Sequence, residues 1–596
     1  MPPDPVRAGR IPLLLAAVCC ALLALAVLLP PEIDPLARAA CKVLLAAGAC
    51  LLAAEAGDRM RLLPVWTWGL LPFAVVSIAV AAGRAAALDE ASDACALVLA
   101  ALAGRRLASE TRAREALVGL IVALACVAAL RAVVQHHWIY PMEAGVLRAG
   151  SGGDSALILA RLEAGRPSGP FTLPAALGGF LAMTLPLTLA LLRRTPGAAA
   201  RAAILLAALV QGYALFLTRS IGALAATTIS MVLALPFLAP RRAAAGRWAV
   251  LVLAVAGASF FLHARRVEIG SPGGDPFLLR AGNWSAAVRM IRDHPLFGTG
   301  PGSFGTFYPR YIEPGMNETR YAHNSYLQVV AGWGAWAIVP LALFAGAFGA
   351  RLRPVWRAGG ADLPALAAGA GFLAHNLVDF TAFLPGVALP AGLLLGAGLG
   401  ACPSIRPGRA PGACGSQTRS EEESDVGPAP TTSDAVGGRN PHAPFGFRRR
   451  GAVSFALTLA LALGFSAHAV QAALSQDLLE RAGAAAVEGD TNKALRLARA
   501  AARRRPGDPA PAAFIAEWVL AHGMEDQALR EEGERAALRA ARLDPESAIR
   551  HFTLSLYHGA AGRPADAHRE RRAARLLYPL KELYRAAGRP GAAEAP

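Results

Sequence analysis

Four basic side chains, set in an otherwise apolar chain, carry most of the chemistry this sequence offers. His323 opens the tetrapeptide His323-Asn324-Ser325-Tyr326, directly before an apolar run. Asn324 or Ser325 is a natural helix N-cap, which leaves His323 at the positive end of the helix dipole. That position disfavours imidazolium, so His323 is expected to be a neutral imidazole able to accept a proton. The competing reading is a hydrogen-bonded interfacial histidine with no chemistry. The other three are Arg166 in Arg166-Pro167-Ser168-Gly169-Pro170-Phe171, Arg219 in Thr218-Arg219-Ser220, and Arg280 four residues before Trp284. Each alone reads equally as a snorkelling anchor. Brought to one side of a membrane, three planar guanidinium forks suit an anionic ligand, and a phosphate group best.

The elements that must position them are legible in part. From Leu278 to Asp293 a helical pattern places Arg280, Trp284, Val288 and Ile291 on one face. The helix is expected to stop at His294-Pro295, because proline cannot continue the hydrogen-bond ladder. Gly298-Thr299-Gly300-Pro301-Gly302 then reads as a compact turn. Its spacing is wrong for a nucleotide loop, and no strand precedes it. Phe304, Phe307, Tyr308, Tyr311 and Tyr321 suit either an interfacial aromatic belt or stacking on sugar rings, and the belt is the plainer expectation. The whole stretch from Arg280 to Gln328 is the longest polar segment in the first 400 residues.

Around it the chain is greasy: 55% of its 596 residues are hydrophobic, 17% are charged, and the mean hydropathy is +0.40. An all-α, polytopic membrane protein of 12–13 transmembrane helices follows. Candidate spans lie near 11–30, 36–54, 63–82, 92–104, 115–134, 174–192, 202–217, 220–239, 247–263, 325–349, 362–379, 384–400 and 451–470. The first is read as a membrane helix and not a signal peptide, since it lacks a clear cleavage site. The net charge of +17 does not point to nucleic acid, because the basic residues sit in short loops between spans. Asp58 to Arg61, Arg105-Arg106 with Arg112 and Arg114, Arg193-Arg194, Arg241-Arg242 with Arg247, and Arg351 to Arg357 fall in alternate loops, which are therefore expected on the cytoplasmic side. The 135–173 loop, the Thr218-Arg219 turn, the long 264–322 loop and the Asp379–Pro385 link then face outward, to the periplasm. The eight cysteines show no CxxC pair and no histidine at ligand spacing, so neither a disulfide framework nor a metal site is indicated.

Residues 1–400 thus form the membrane domain. Residues 401–450, rich in Ser, Gly and Pro, read as a disordered cytoplasmic linker before a last span at 451–470. From 471 to 596 the sequence is Ala- and Arg-rich and helical, with Asp508-Pro509, Asp544-Pro545 and Tyr578-Pro579 at 36- and 34-residue spacing. That period resembles tetratricopeptide repeats, with a plain helical bundle as the alternative, and suggests a periplasmic domain that binds envelope proteins.

Taken together, Arg166-Pro-Ser-Gly-Pro-Phe, Thr218-Arg219-Ser220, Arg280 with Trp284, Asp293-His-Pro-Leu-Phe-Gly-Thr-Gly300, His323-Asn-Ser-Tyr-Leu-Gln328 and His375-Asn-Leu-Val-Asp379-Phe resemble the O-antigen ligase and polymerase superfamily of inner-membrane glycosyltransferases. The resemblance covers residues 160 to 400. It implies transfer of an undecaprenyl-diphosphate-linked glycan to an acceptor hydroxyl at the periplasmic face, without cofactor or metal and with inversion. The acceptor would be lipid A-core, a growing glycan or a protein, so polysaccharide polymerase and protein O-oligosaccharyltransferase are the near alternatives. Carried onto this chain, Arg219 and Arg280 hold the diphosphate with Arg166 in support, and His323 is the base. Trp284, Asn324 and Asp379 join the substrate site, while His294 and His375 are structural. The rival from another class is a polysaccharide transporter or flippase, which would carry paired polar residues in mid-span and in repeated halves.

Overall fold

A computed structural model describes residues 5–56, 69–149, 156–238, 257, 276–400 and 446–586, which are helical with no strand among them. Prolines open several of the helices, including Pro174–Leu191, Pro385–Leu399, Pro509–His522 and Pro564–Leu577. At the first helical position the missing N–H is an orphan anyway, and the fixed φ is already helical.

Among the described residues, eight helices are long and apolar enough to cross a membrane: Ile11–Leu28, Pro35–Glu55, Thr111–Ala149, Pro174–Leu191, Ala198–Thr218, Ile221–Leu238, Ala335–Ala358 and Phe455–Val487. The chain is a multi-pass membrane protein. Two shorter apolar helices, Leu363–His375 and Pro385–Leu399, are almost wholly buried inside the bundle. Helix Arg84–Leu107 packs along Pro385–Leu399, and at Gly396 an added Cβ would stand 1.8 Å from the Ala101 carbonyl oxygen. Only glycine permits that approach.

Several expectations change in detail. The span near 247–263 and nearly all of the 401–450 linker lie outside the described residues. The 92–104 stretch is the apolar half of the longer Arg84–Leu107 helix, whose acidic half is internally paired: Asp93 with Arg38 and Lys42, Glu90 with the Gly302 N–H and Trp333 Nε1. The 325–349 stretch is not one helix. It breaks at Gly334 (φ 94°), between Ser325–Trp333 and Ile338–Ala358, because a side chain there would collide with the Leu296 carbonyl oxygen. The 135–173 loop is largely helical, continuing through a π-turn at Gln135–Ile139 to Ala149. Residues 451–470 belong to a 42-residue helix, Gly446–Val487, that runs on into the C-terminal region.

That region is a succession of short helices, each packed on the next: Thr491–Arg504, Pro509–His522, Gln527–Leu543, Ala548–Ala560 and Pro564–Leu577. The proline markers of the sequence pattern are not equivalent in the structure. Asp544 and Tyr578 end helices with nearly the same backbone as Arg505 (ψ 71°, 81° and 77°), whereas Asp508-Pro509 begins one. The equivalent prolines are therefore Pro506, Pro545 and Pro579, each just past a helix that it cannot continue.

Three of the basic loops gather at one end of the bundle, while Asp58 to Arg61 and Arg241 to Arg247 lie outside the described residues. Arg114 and Arg351 both pair with Asp362, Arg106 with Glu55, and Arg194 approaches Glu115. Arg166, Arg219 and Asp379 lie at the other ends of the same helices: Pro174–Leu191 begins eight residues after Arg166 and is followed by Arg193-Arg194, Ala198–Thr218 ends at Arg219, and Leu363–His375 runs between Asp362 and the Asp379 link, to which Ser325, two residues after His323, is tied through its N–H.

Candidate active site

Asn324 is the N-cap of helix Ser325–Trp333, and its side-chain oxygen accepts from the Tyr326 and Leu327 N–H groups at 3.1 and 3.0 Å. The residue before it, His323, has a left-handed backbone (φ 53°), as does Arg219 (φ 50°). Such conformations cost a non-glycine residue free energy and persist only where surroundings impose them. Around His323 the surroundings are visible. Trp284 Nε1 donates to the His323 carbonyl at 3.3 Å, and the Ser325 N–H donates to the carbonyls of Asn376 and Asp379 at 2.9 and 3.1 Å. Ser325 Oγ donates to Asn376 Oδ1 at 2.6 Å. The start of the histidine's helix is thus bolted to the 376–379 link.

The imidazole stands edge-on to Phe380, with ring centroids 4.8 Å apart, and Tyr321 stacks flat on the same ring at 4.1 Å. His323 Nδ1 is 4.0 Å from Asp379 Oδ1, too far for a hydrogen bond, and is itself buried without a hydrogen-bond partner among the described residues. Asp379 is buried, accepts from the Phe380 N–H at 2.8 Å, and lies 3.9 Å from the Nε2 of the fully buried His375. Burial, the largest cause, holds the His323 pKa below the ordinary value; Asp379 pulls it up, and Arg280 pushes it down again. Burial, rather than the helix end, is thus the main influence favouring the neutral imidazole.

The arginines converge electrostatically. Burial and then the neighbouring Arg219 and Arg280 lower the Arg166 pKa, with Asp379 opposing. Arg166 Nε donates to the Thr218 carbonyl at 2.9 Å, and Arg219 Nη1 to the Ala164 carbonyl at 3.1 Å. Gln135 fixes the backbone of the Arg166 motif by exchanging two hydrogen bonds with Gly169. Among the described residues, the buried Arg280 Nε has no hydrogen-bond partner and no carboxylate comes within ion-pair distance of any of the three. They therefore repel one another, with Asp379 as the opposing charge felt by Arg166.

Two expectations for this region are corrected. On helix Pro276–Asp293 the buried face is Asn283, Ala286, Ala287 and Met290, while Val288 is exposed. The reason is the neighbour: Phe304, Phe307, Tyr308 and Tyr311 are not an interfacial belt but a small core that takes the alanine face, with the Tyr308 hydroxyl donating to Asn283. Arg280 and Trp284 are left on the flank toward His323. Gly298 and Gly300 pack where Cβ atoms would meet Gly332 and Ala81 at 2.3 Å, and the Thr299 and Gly300 N–H groups donate to Ala331 and Gly332. The glycines of that turn serve backbone packing and leave no phosphate cradle.

The sequence marks Ser325 only as a possible cap, and the support that Asn376 and Phe380 give is visible only in the structure. Asn376 and Phe380 stand inside the quoted His375-to-Asp379-Phe motif, where an asparagine beside a helix end was the available signal.

Residues 202–342 match the O-antigen ligase family. The matched stretch holds Arg219, Arg280, Trp284, His323 and Asn324, while Arg166 and Asp379 fall outside it. The match implies membrane glycan transfer of the O-antigen ligase or polymerase type, from a lipid-linked glycan. No curated protein and no solved structure matches the chain.

Proposed function

We propose that the protein transfers a polyprenyl-diphosphate-linked glycan, undecaprenyl diphosphate being the carrier, onto an acceptor hydroxyl at the periplasmic face of the inner membrane. The observation that carries this reading is the pairing of a neutral, half-buried imidazole with three arginines that no nearby carboxylate neutralises among the described residues. Three like charges held near one another with no acidic partner favour an anion that completes the cluster. A diphosphate supplies two linked anions, and guanidinium forks bind it with directional, charge-assisted hydrogen bonds.

In the reaction His323 takes the proton of the acceptor hydroxyl as its oxygen attacks the anomeric carbon. The bond from that carbon to the diphosphate oxygen breaks on the opposite face, so the configuration inverts. Arg280 and Arg219 meet the negative charge that grows on the departing diphosphate, and Arg166 supports them. Asp379 stabilises the imidazolium formed in this step through the Coulomb coupling it already has with His323. Trp284 holds the His323 backbone, and Asn324 fixes the helix start. The acceptor is lipid A-core, a growing glycan or a protein, and residues 471–596 are read as a tetratricopeptide-like periplasmic domain.

Reconstitution of the purified protein in liposomes with lipid-linked glycan tests the proposal. Transfer is expected in the wild type and lost in His323→Ala and Arg280→Ala; undiminished transfer in both variants would sink it. The wild-type product, longer lipid-linked chains or glycan on a new acceptor, assigns polymerase or ligase.

A further inference from the structure

Residues 312–322 form a strap between the aromatic core of the loop and His323, and it is tied along its length. Glu313 accepts from Ser285 Oγ at 3.1 Å and Arg289 Nη1 at 2.9 Å, both on the helix that carries Arg280. Met316 lies over Gly282 of that helix, where an added Cβ would stand 2.6 Å from Sδ. Glu318 reaches the opposite way, to the C-terminal helices: it accepts from the Tyr578 hydroxyl at 2.9 Å and Lys581 Nζ at 3.1 Å. The strap then closes on the site, with the Ala322 N–H donating to Gln328 Oε1 at 2.9 Å and His323 following in its left-handed conformation.

The C-terminal helices are themselves fastened to the membrane domain. Arg505 donates to both oxygens of Asp89, at 2.6 and 2.9 Å, and His468 Nε2 lies 3.1 Å from the same carboxylate. Arg310, on the helix that leads into the strap, pairs with Glu546 at 2.5 Å. A single exposed pair such as Lys581–Glu318 contributes little to stability. Its value here is geometric: Glu318 is five residues from His323, and the left-handed residue between strap and helix tolerates little displacement.

We propose that the C-terminal helical array is a working part of the transfer site, holding through Glu318 the strap that sets His323 against the Arg280 helix. Glu318, Tyr578 and Lys581 are positioning residues, and the array touches neither donor nor reacting atoms. The proposal rests on His323 being the base.

The test uses the full chain in liposomes with lipid-linked glycan. The proteins compared are wild type, His323→Ala, Tyr578→Phe/Lys581→Met, Glu318→Lys, and the reversed pair Glu318→Lys/Lys581→Glu, with thermal unfolding followed in parallel. A misplacement of the base by a fraction of an ångström lowers kcat by on the order of 10-fold and leaves the KM for donor unchanged. That split is expected for Tyr578→Phe/Lys581→Met and for Glu318→Lys, with most of the loss recovered in the reversed pair. Wild-type kcat in the array variants, beside an inactive His323→Ala, overturns the proposal and leaves the site intact. A loss that tracks unfolding and is not recovered by reversal also overturns it. Full transfer by His323→Ala overturns the underlying reading, and the proposal with it.

Discussion

Arginine stands at both ends of the membrane bundle, and it is used in opposite ways. At one end Arg114 and Arg351 share Asp362 at 2.7 Å each, and Arg106 lies between Glu55 and Glu110. These guanidiniums are neutralised within the protein. At the other end Arg166 and Arg219 donate to backbone carbonyls, and Arg280 Nε has no hydrogen-bond partner among the described residues. The carboxylate that acts on that cluster, Asp379, is engaged by the Phe380 N–H and faces two imidazoles. The same residue type thus serves as a bolt at one end and is left at the other without an acidic partner among the described residues, where the proposed function has it receive an outside anion. Sequence position and charge alone do not separate these uses; the presence or absence of a carboxylate partner does.

The contrast can be broken most directly by exchanging what each end loses. His323→Ala is expected to lower kcat by about 10²–10⁴-fold, the range for removing a general base. Arg280→Ala should follow with on the order of 10²–10³-fold, as expected when a donor to developing charge is removed. Both are read as single-turnover transfer, and thermal unfolding should stay near wild type. The opposite pattern is expected for Arg114→Ala: the buried Asp362 loses one charge-assisted hydrogen bond and keeps Arg351, stability falls by about 1.5 kcal/mol in a denaturation assay, and the folded fraction transfers normally. Activity loss at the Arg114 end, or stability loss alone at the Arg280 end, would erase the distinction.

The pH profile sharpens it further. His323 must be neutral to act, and its pKa lies below the ordinary histidine value of about 6.5. Activity should therefore be level from neutral pH upward and fall as the pH drops below about 6.5. Asp379 raises the His323 pKa, so in Asp379→Asn the acid limb should move to lower pH, measured as kcat against pH. The smallest effect is expected at Arg166→Lys, which keeps the charge and loses the planar fork: a few-fold rise in the donor KM, about 1 kcal/mol, read from initial rates.

How much of this was legible follows from which signals are local. The Asn324 cap was readable because a capping residue directly before an apolar run is a short-range pattern. So were most spans, since hydropathy over about twenty residues is local too. The break at Gly334 was hidden because it is imposed by the Leu296 carbonyl, 38 residues earlier in the chain. The left-handed backbones of His323 and Arg219 were equally hidden, since neither residue is a glycine that announces such a turn. The inverted face of helix Pro276–Asp293 shows the limit of periodicity: Val288 looked like core, yet the neighbour is a cluster of bulky rings that accepts alanines. The return of the C-terminal helices to Asp89 and Glu318 spans more than 250 residues, and nothing in either segment marks it.

The central claim is that the unneutralised arginines hold a diphosphate, and donor binding in lipid nanodiscs tests it apart from catalysis. Affinity for undecaprenyl diphosphate would be measured by microscale thermophoresis for the wild type, Arg280→Ala and Arg114→Ala. The account predicts a loss of about 10-fold or more for Arg280→Ala, equivalent to removing one charge-assisted contact of about 1.5–3 kcal/mol, and no change for Arg114→Ala. Equal affinity in all three proteins would contradict it.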